Sequence, residues 1–127
     1  MLEYDSKNYD PPAPIAYVTL RNPQNGTVIP NVPLLVDTGA DATLLPLSAV
    51  RQLGVEIEVD SEFEVQVFDG ETKLLRVARL DLLVFNKTFK GEYLLIDRPD
   101  GILGRNILNH IRLLLDGPQQ EWGEYKK

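Results

Sequence analysis

The sequence predicts an all-β single domain with one or two short helices, and three observations lead there. β-Branched and aromatic residues recur in short runs, nine glycines and nine prolines punctuate them, and the stretch from Val55 to Val67 alternates apolar with acidic or polar residues at a period of two. The chain has 127 residues, 43% of them hydrophobic, which suffices for one core and is too short for two ordinary domains.

Residues 1–14 are polar and end in Asp10-Pro11-Pro12-Ala13-Pro14, a composition that predicts a flexible N-terminal arm. Ile15 to Leu20 reads as the first strand, and Pro23 with the Asn25-Gly26 pair supplies a hairpin turn. The return strand runs from about Thr27 to Val36, with Pro30 and Pro33 restricting it to partial or edge pairing before Leu34-Leu35-Val36. It delivers Asp37. Ala42 to Leu45 resumes an apolar path, and Leu47 to Leu53 has helical spacing with Gly54 placed as its stop. In the alternating stretch Val55 to Val59, Phe63, Val65 and Val67 interleave with Glu56, Glu58, Glu62, Glu64 and Gln66, and Asp69-Gly70 then signals a hairpin. Leu74 to Phe85 and Phe89 to Ile96 are two further strands around a turn at Asn86-Lys87, which makes the sheet mostly antiparallel. Arg98 to Gly101 turns into Ile102-Leu103-Gly104, Arg105 to His110 starts a short helix, and Ile111 to Leu115 forms the final strand. The domain therefore spans 15–116, and 117–127 is a loosely specified C-terminal tail.

Composition excludes several classes of function. A net charge of −6 offers no cluster of Lys and Arg for phosphate, so neither nucleic acid nor an anionic membrane is expected as a partner. Without cysteine there is no disulfide framework, thiolate nucleophile or thiolate-bound zinc, and a single histidine, His110, leaves Ser-His-Asp catalysis and His-based zinc sites without their parts in one chain. No metal or cofactor is expected. The N-terminus carries acids where a signal peptide is apolar, and no run approaches about 18 apolar residues, so a soluble, cytoplasmic protein is the expectation.

The stretch Leu34 to Pro46, LLVDTGADATLLP, organises the rest. A buried strand ends by presenting one carboxylate, Asp37, and a carboxylate set between such apolar runs is costly unless it has work to do. Gly39 permits a turn or close backbone approach, and Ala40 leaves room beside it. Asp-Thr-Gly-Ala in this aliphatic frame, with Ile102-Leu103-Gly104-Arg105-Asn106 about 65 residues later and a hairpin between, resembles the retropepsin-like branch of the aspartic proteases over roughly Ile15 to Leu115.

That resemblance implies a small closed β-barrel of the single-lobed acid protease kind, acting as an aspartic endopeptidase on polypeptide substrates. Peptide hydrolysis without metal needs one group as base and one as acid, so a chain with one Asp-Thr-Gly implies a homodimer with Asp37 from each subunit at a two-fold axis. By the same resemblance Thr38 braces the paired loops through its hydroxyl, the Gly39 amide supports the carboxylate, and Ala40 borders the substrate. Asp41 either binds substrate main chain or is held by Arg105, next to Gly104, with a purely structural ion pair as an equal alternative. The tip at Phe68, Asp69, Gly70 and Glu71 corresponds to a flap, with one glycine and two acids where many family flaps are richer in glycine.

Other readings are plainer. Asp37 as a simple turn residue is the structural alternative, His110 reads as a helix residue, Ser48 lacks a nucleophile-elbow context, and Asn25-Gly-Thr and Asn86-Lys-Thr read as turns. Trp122 and Tyr125 either pack on a partner subunit or a neighbour, or belong to a frayed tail. The alternative of a different class is a catalytically weak or inert dimerisation or peptide-binding module built on the same fold.

Overall fold

The computed structural model describes residues 1–66 and 72–126, and side chains outside 60–74. The chain begins with a two-residue strand, β1 (Leu2–Glu3), and enters the main sheet at β2 (Ile15–Arg21). There Ala16, Val18 and Leu20 are buried while Tyr17 is exposed, the alternation that one covered face requires. The Asn25-Gly26 turn, with Gly26 at φ +78°, returns the chain into the antiparallel β3 (Val28–Val36). Proline has no N–H for the ladder, and the register shifts where Pro30 sits: Pro30 and Asn31 together face Thr19, with Asn31 at φ +58°. This bulge accommodates the prolines without ending the strand.

After β4 (Leu44–Pro46), α1 (Leu47–Leu53) buries Leu47, Ala49, Val50 and Leu53. It stops at Gly54, whose φ of +73° lets its N–H reach the Arg51 carbonyl. β5 (Ile57–Gln66) pairs with β6 (Thr72–Val84) through a register shift between Asp60 and Glu64. β6 turns into β7 (Lys87–Ile96) through Phe85 and Asn86, at φ 51° and 60°. The sequence places this turn at Asn86-Lys87, and the structure moves it one residue earlier. Two adjacent residues at positive φ are what a two-residue antiparallel turn requires, and the Phe85 ring meets Trp122 edge-on at 5.6 Å. β8 (Gly101–Leu103), α2 (Arg105–Leu108), β9 (Leu113–Asp116) and β10 (Glu121–Glu124) complete the chain.

Six strands close into a barrel in the order β2-β3-β8-β4-β7-β6, with β6 returning to β2 through Thr19↔Leu83, Leu20↔Leu82 and Arg21↔Asp81, while β5 extends from β6 outside the ring. The all-β barrel with two short helices expected from the sequence is therefore the fold. Its core contains Leu20, Leu34, Leu45, Leu80, Leu82, Leu103 and Ile107, each fully buried side chain contributing about 1.5–3 kcal/mol. Most pairings are antiparallel, but β3–β8 and β4–β7 are parallel. Among the described residues no helix is long and apolar enough to cross a membrane.

The two ends depart from the expected flexible arm and loose tail. β1, β10 and β9 form a separate three-stranded antiparallel sheet, and Trp122 on β10 is wholly buried. Asp5 bridges to Ala13, and the Pro14 carbonyl accepts the Val36 N–H at 3.1 Å. The large apolar surface of Trp122 supplies a reason for this order that the polar composition around it conceals. The strand ending near Leu115 is accordingly the penultimate one.

Candidate active site

The parallel pairing of β3 with β8 sets Val36 opposite Leu103, so Asp37 and Gly104 leave the barrel side by side. The Asp37 N–H donates to the Leu103 carbonyl at 3.1 Å, and the Ala40 N–H turns back to the Asp37 carbonyl at 3.2 Å. The carboxylate Oδ1 accepts the Gly39 N–H at 2.9 Å. A Cβ at residue 39 would lie 3.1 Å from that oxygen, which gives Gly39 a steric reason at this place. Asp37 and Ala40 are half-buried, whereas Thr38 and Gly39 are exposed at the loop tip.

Residues 103–106 hold the loop along its length. Gly104 lies so close to the loop that any Cβ there would collide with the Ala42 carbonyl. The Arg105 N–H donates to the Ala40 carbonyl at 2.8 Å, and Arg105 Nη1 donates to the Thr38 carbonyl at 2.7 Å. Thr43 is buried, and its hydroxyl donates to Asn106 Oδ1 at 2.7 Å while accepting the Gly104 N–H at 3.0 Å.

This arrangement corrects one expectation. Arg105 does not pair with Asp41 among the described residues: Asp41 is exposed, and the guanidinium grips a backbone carbonyl. The Arg105 main chain is already tied to Ala40, and from there its side chain reaches back to the near end of the loop. Phe68, Asp69 and Gly70 lie outside the described residues, although the strands leading to them pair as far as Gln66↔Thr72. Sequence reasoning brought together Asp37, Thr38, Gly39, Ala40, Gly104 and Arg105 but missed Thr43 and Asn106. A threonine followed directly by Leu44-Leu45-Pro46 was the available signal, since a hydroxyl entering an apolar run needs a partner.

Chemically, the loop presents a carboxylate with one oxygen held by an amide and space beyond an exposed tip. Such a group can take a proton from water, but one carboxylate cannot serve as base and acid in the same step. Among the described residues no group of three or more His, Asp or Glu side chains is placed to hold a metal.

A six-stranded barrel whose Asp-Thr-Gly loop is locked against a second strand followed directly by glycine belongs to the single-lobed aspartic protease class. The family model described as "gag-polyprotein putative aspartyl protease" matches residues 25–110, and the chain belongs to this retropepsin-like family. Among solved structures, EIAV protease complexed with the inhibitor HBY-793 has a similar fold, with a TM-score of 0.59 and 24% identity, covering 77% of this chain and 86% of that one. No curated protein matches the chain.

Proposed function

We propose that the chain is an aspartic endopeptidase that works as a homodimer, with Asp37 of each copy meeting across a two-fold axis to hydrolyse a peptide bond with activated water. The observation that carries this reading is the Asp37 carboxylate of the chain's single Asp-Thr-Gly, set at the exit of β3 and steadied by the Gly39 N–H at 2.9 Å. Two carboxylates at close quarters share one proton, so one takes a proton from water while the other gives its own to the scissile group.

Surface chemistry supports a second copy as the partner. Met1, Leu2, Leu114, Leu115 and Tyr125 are exposed at or beside the three-stranded terminal sheet, and β9 is an edge strand of that sheet. Strand addition there would cover apolar side chains and satisfy an open ladder edge together. The segment joining β5 to β6 takes the role of a flap over the bound polypeptide in the same proposal.

Incubation with a denatured protein mixture, followed by sequencing of the fragments, tests the reading. Cleavage by the wild type and none by a folded Asp37→Asn variant is the expected result. Intact chains with retained peptide binding would favour the dimerisation or peptide-binding module instead.

A further inference from the structure

We propose that Thr43 and Asn106 are positioning residues for Asp37, acting through a chain of hydrogen bonds that ends on the Asp37 backbone N–H; the catalytic part of this inference rests on the proposed proteolysis. The links are all geometric. Asn106 Oδ1 accepts the Thr43 hydroxyl proton at 2.7 Å, which leaves the hydroxyl lone pairs free to accept the Gly104 N–H at 3.0 Å. Gly104 N–H and the Leu103 carbonyl belong to one planar peptide unit, and that carbonyl accepts the Asp37 N–H at 3.1 Å. A single rigid peptide is thus held on one side by Thr43 and itself holds Asp37 on the other.

Loss of the Thr43 hydroxyl leaves a buried Gly104 N–H without a partner, and the peptide relieves this by rotating toward another acceptor. Because the unit is planar, its carbonyl turns with it, and the anchor of Asp37 moves. Arg105 does not substitute for this bond, since its contacts fall on Thr38 and Ala40. Thr43 is 1% exposed, so water cannot replace the hydroxyl from outside, whereas the exposed Asn106 can be changed with little burden on folding.

Four variants separate positioning from mere stability: Thr43→Val removes the acceptor of the Gly104 N–H and Asn106→Ala removes the group that orients that hydroxyl, while Thr43→Ser and Asn106→Asp retain a hydroxyl and an acceptor. Per mole of dimer, the first pair should lose about tenfold in kcat on a peptide substrate with KM little changed, and the second pair should stay within about threefold of wild type. Hydrogen exchange at the Asp37 amide is read on the same folded samples and should be about tenfold faster in Thr43→Val and Asn106→Ala only, at unchanged global stability or after correction for it. Equal exchange at Asp37 in all four variants overturns the inference, as does unaltered kcat in both Thr43→Val and Asn106→Ala. Accelerated Asp37 exchange in those two variants, with a wild type that cleaves nothing, would uphold the anchoring and reject the protease reading.

Discussion

Arg105 Nη1 lies 2.7 Å from the carbonyl oxygen of Thr38, so the guanidinium fastens the backbone beside Asp37 rather than the carboxylate of Asp41. Arg105→Ala should lower stability by about 1 kcal/mol, because a charge-assisted bond at an exposed site is lost, whereas Asp41→Ala should stay within about 0.5 kcal/mol of wild type. Thermal melts of the two variants distinguish the arrangements. Equal damage from both would restore the ion pair.

The Arg21–Asp81 pair, 3.0 Å apart, sits where β2 and β6 close the barrel, and the Asp81 side chain is 5% exposed against 35% for Arg21. Removing the cation strands a buried carboxylate, so Arg21→Met should cost roughly 3 kcal/mol in denaturant unfolding. Asp81→Asn should cost less, since the half-exposed Arg21 recovers solvent. The reverse order would show that Arg21 is the group needing compensation.

Tyr93 is buried on β7, and its hydroxyl donates to the Phe89 carbonyl at 2.8 Å. Burial, and secondarily the Asp81 carboxylate, push its pKa up to about 12. In the unfolded chain a tyrosine ionises near pH ~10, so the unfolded state gives up a proton that the folded state keeps. Stability from this group is complete below about pH 10 and falls by up to about 1.4 kcal/mol per pH unit toward pH 12. Melts across that window should show a steeper alkaline decline in wild type than in Tyr93→Phe. Parallel curves would contradict the shift.

Leu115 is 48% exposed on β9. Leu115→Asp places a charge on the surface proposed for the second copy, and sedimentation should find monomers with a melting transition typical of the isolated domain. An undiminished dimer would move the interface elsewhere.

Features set by neighbours in sequence could be read from it. The helix Leu47–Leu53 ends at Gly54 as its spacing indicates, and the aliphatic run before Asp37 marks the strand exit that the structure shows. Features set by distant partners could not. The Phe85 ring meets Trp122, far along the chain, and Trp122 is wholly buried in a C-terminal segment whose local composition is polar and which pairs with β1 and β9. The parallel β3–β8 pairing leaves no local mark either, yet it brings Gly104 and Arg105 to the loop and decides that Arg105 meets Thr38 and Thr43 meets Asn106.

Mixing wild type with Asp37→Asn at a fixed total concentration, above the dimer dissociation constant and after subunit exchange, tests most directly whether two copies of Asp37 perform the cleavage. A mixed dimer has one carboxylate and cannot supply both base and acid. Activity should therefore follow the square of the wild-type fraction, an equal mixture retaining about a quarter of the wild-type rate. A linear decline, with about half the rate remaining at equal parts, would mean that each chain acts alone and would contradict the shared site.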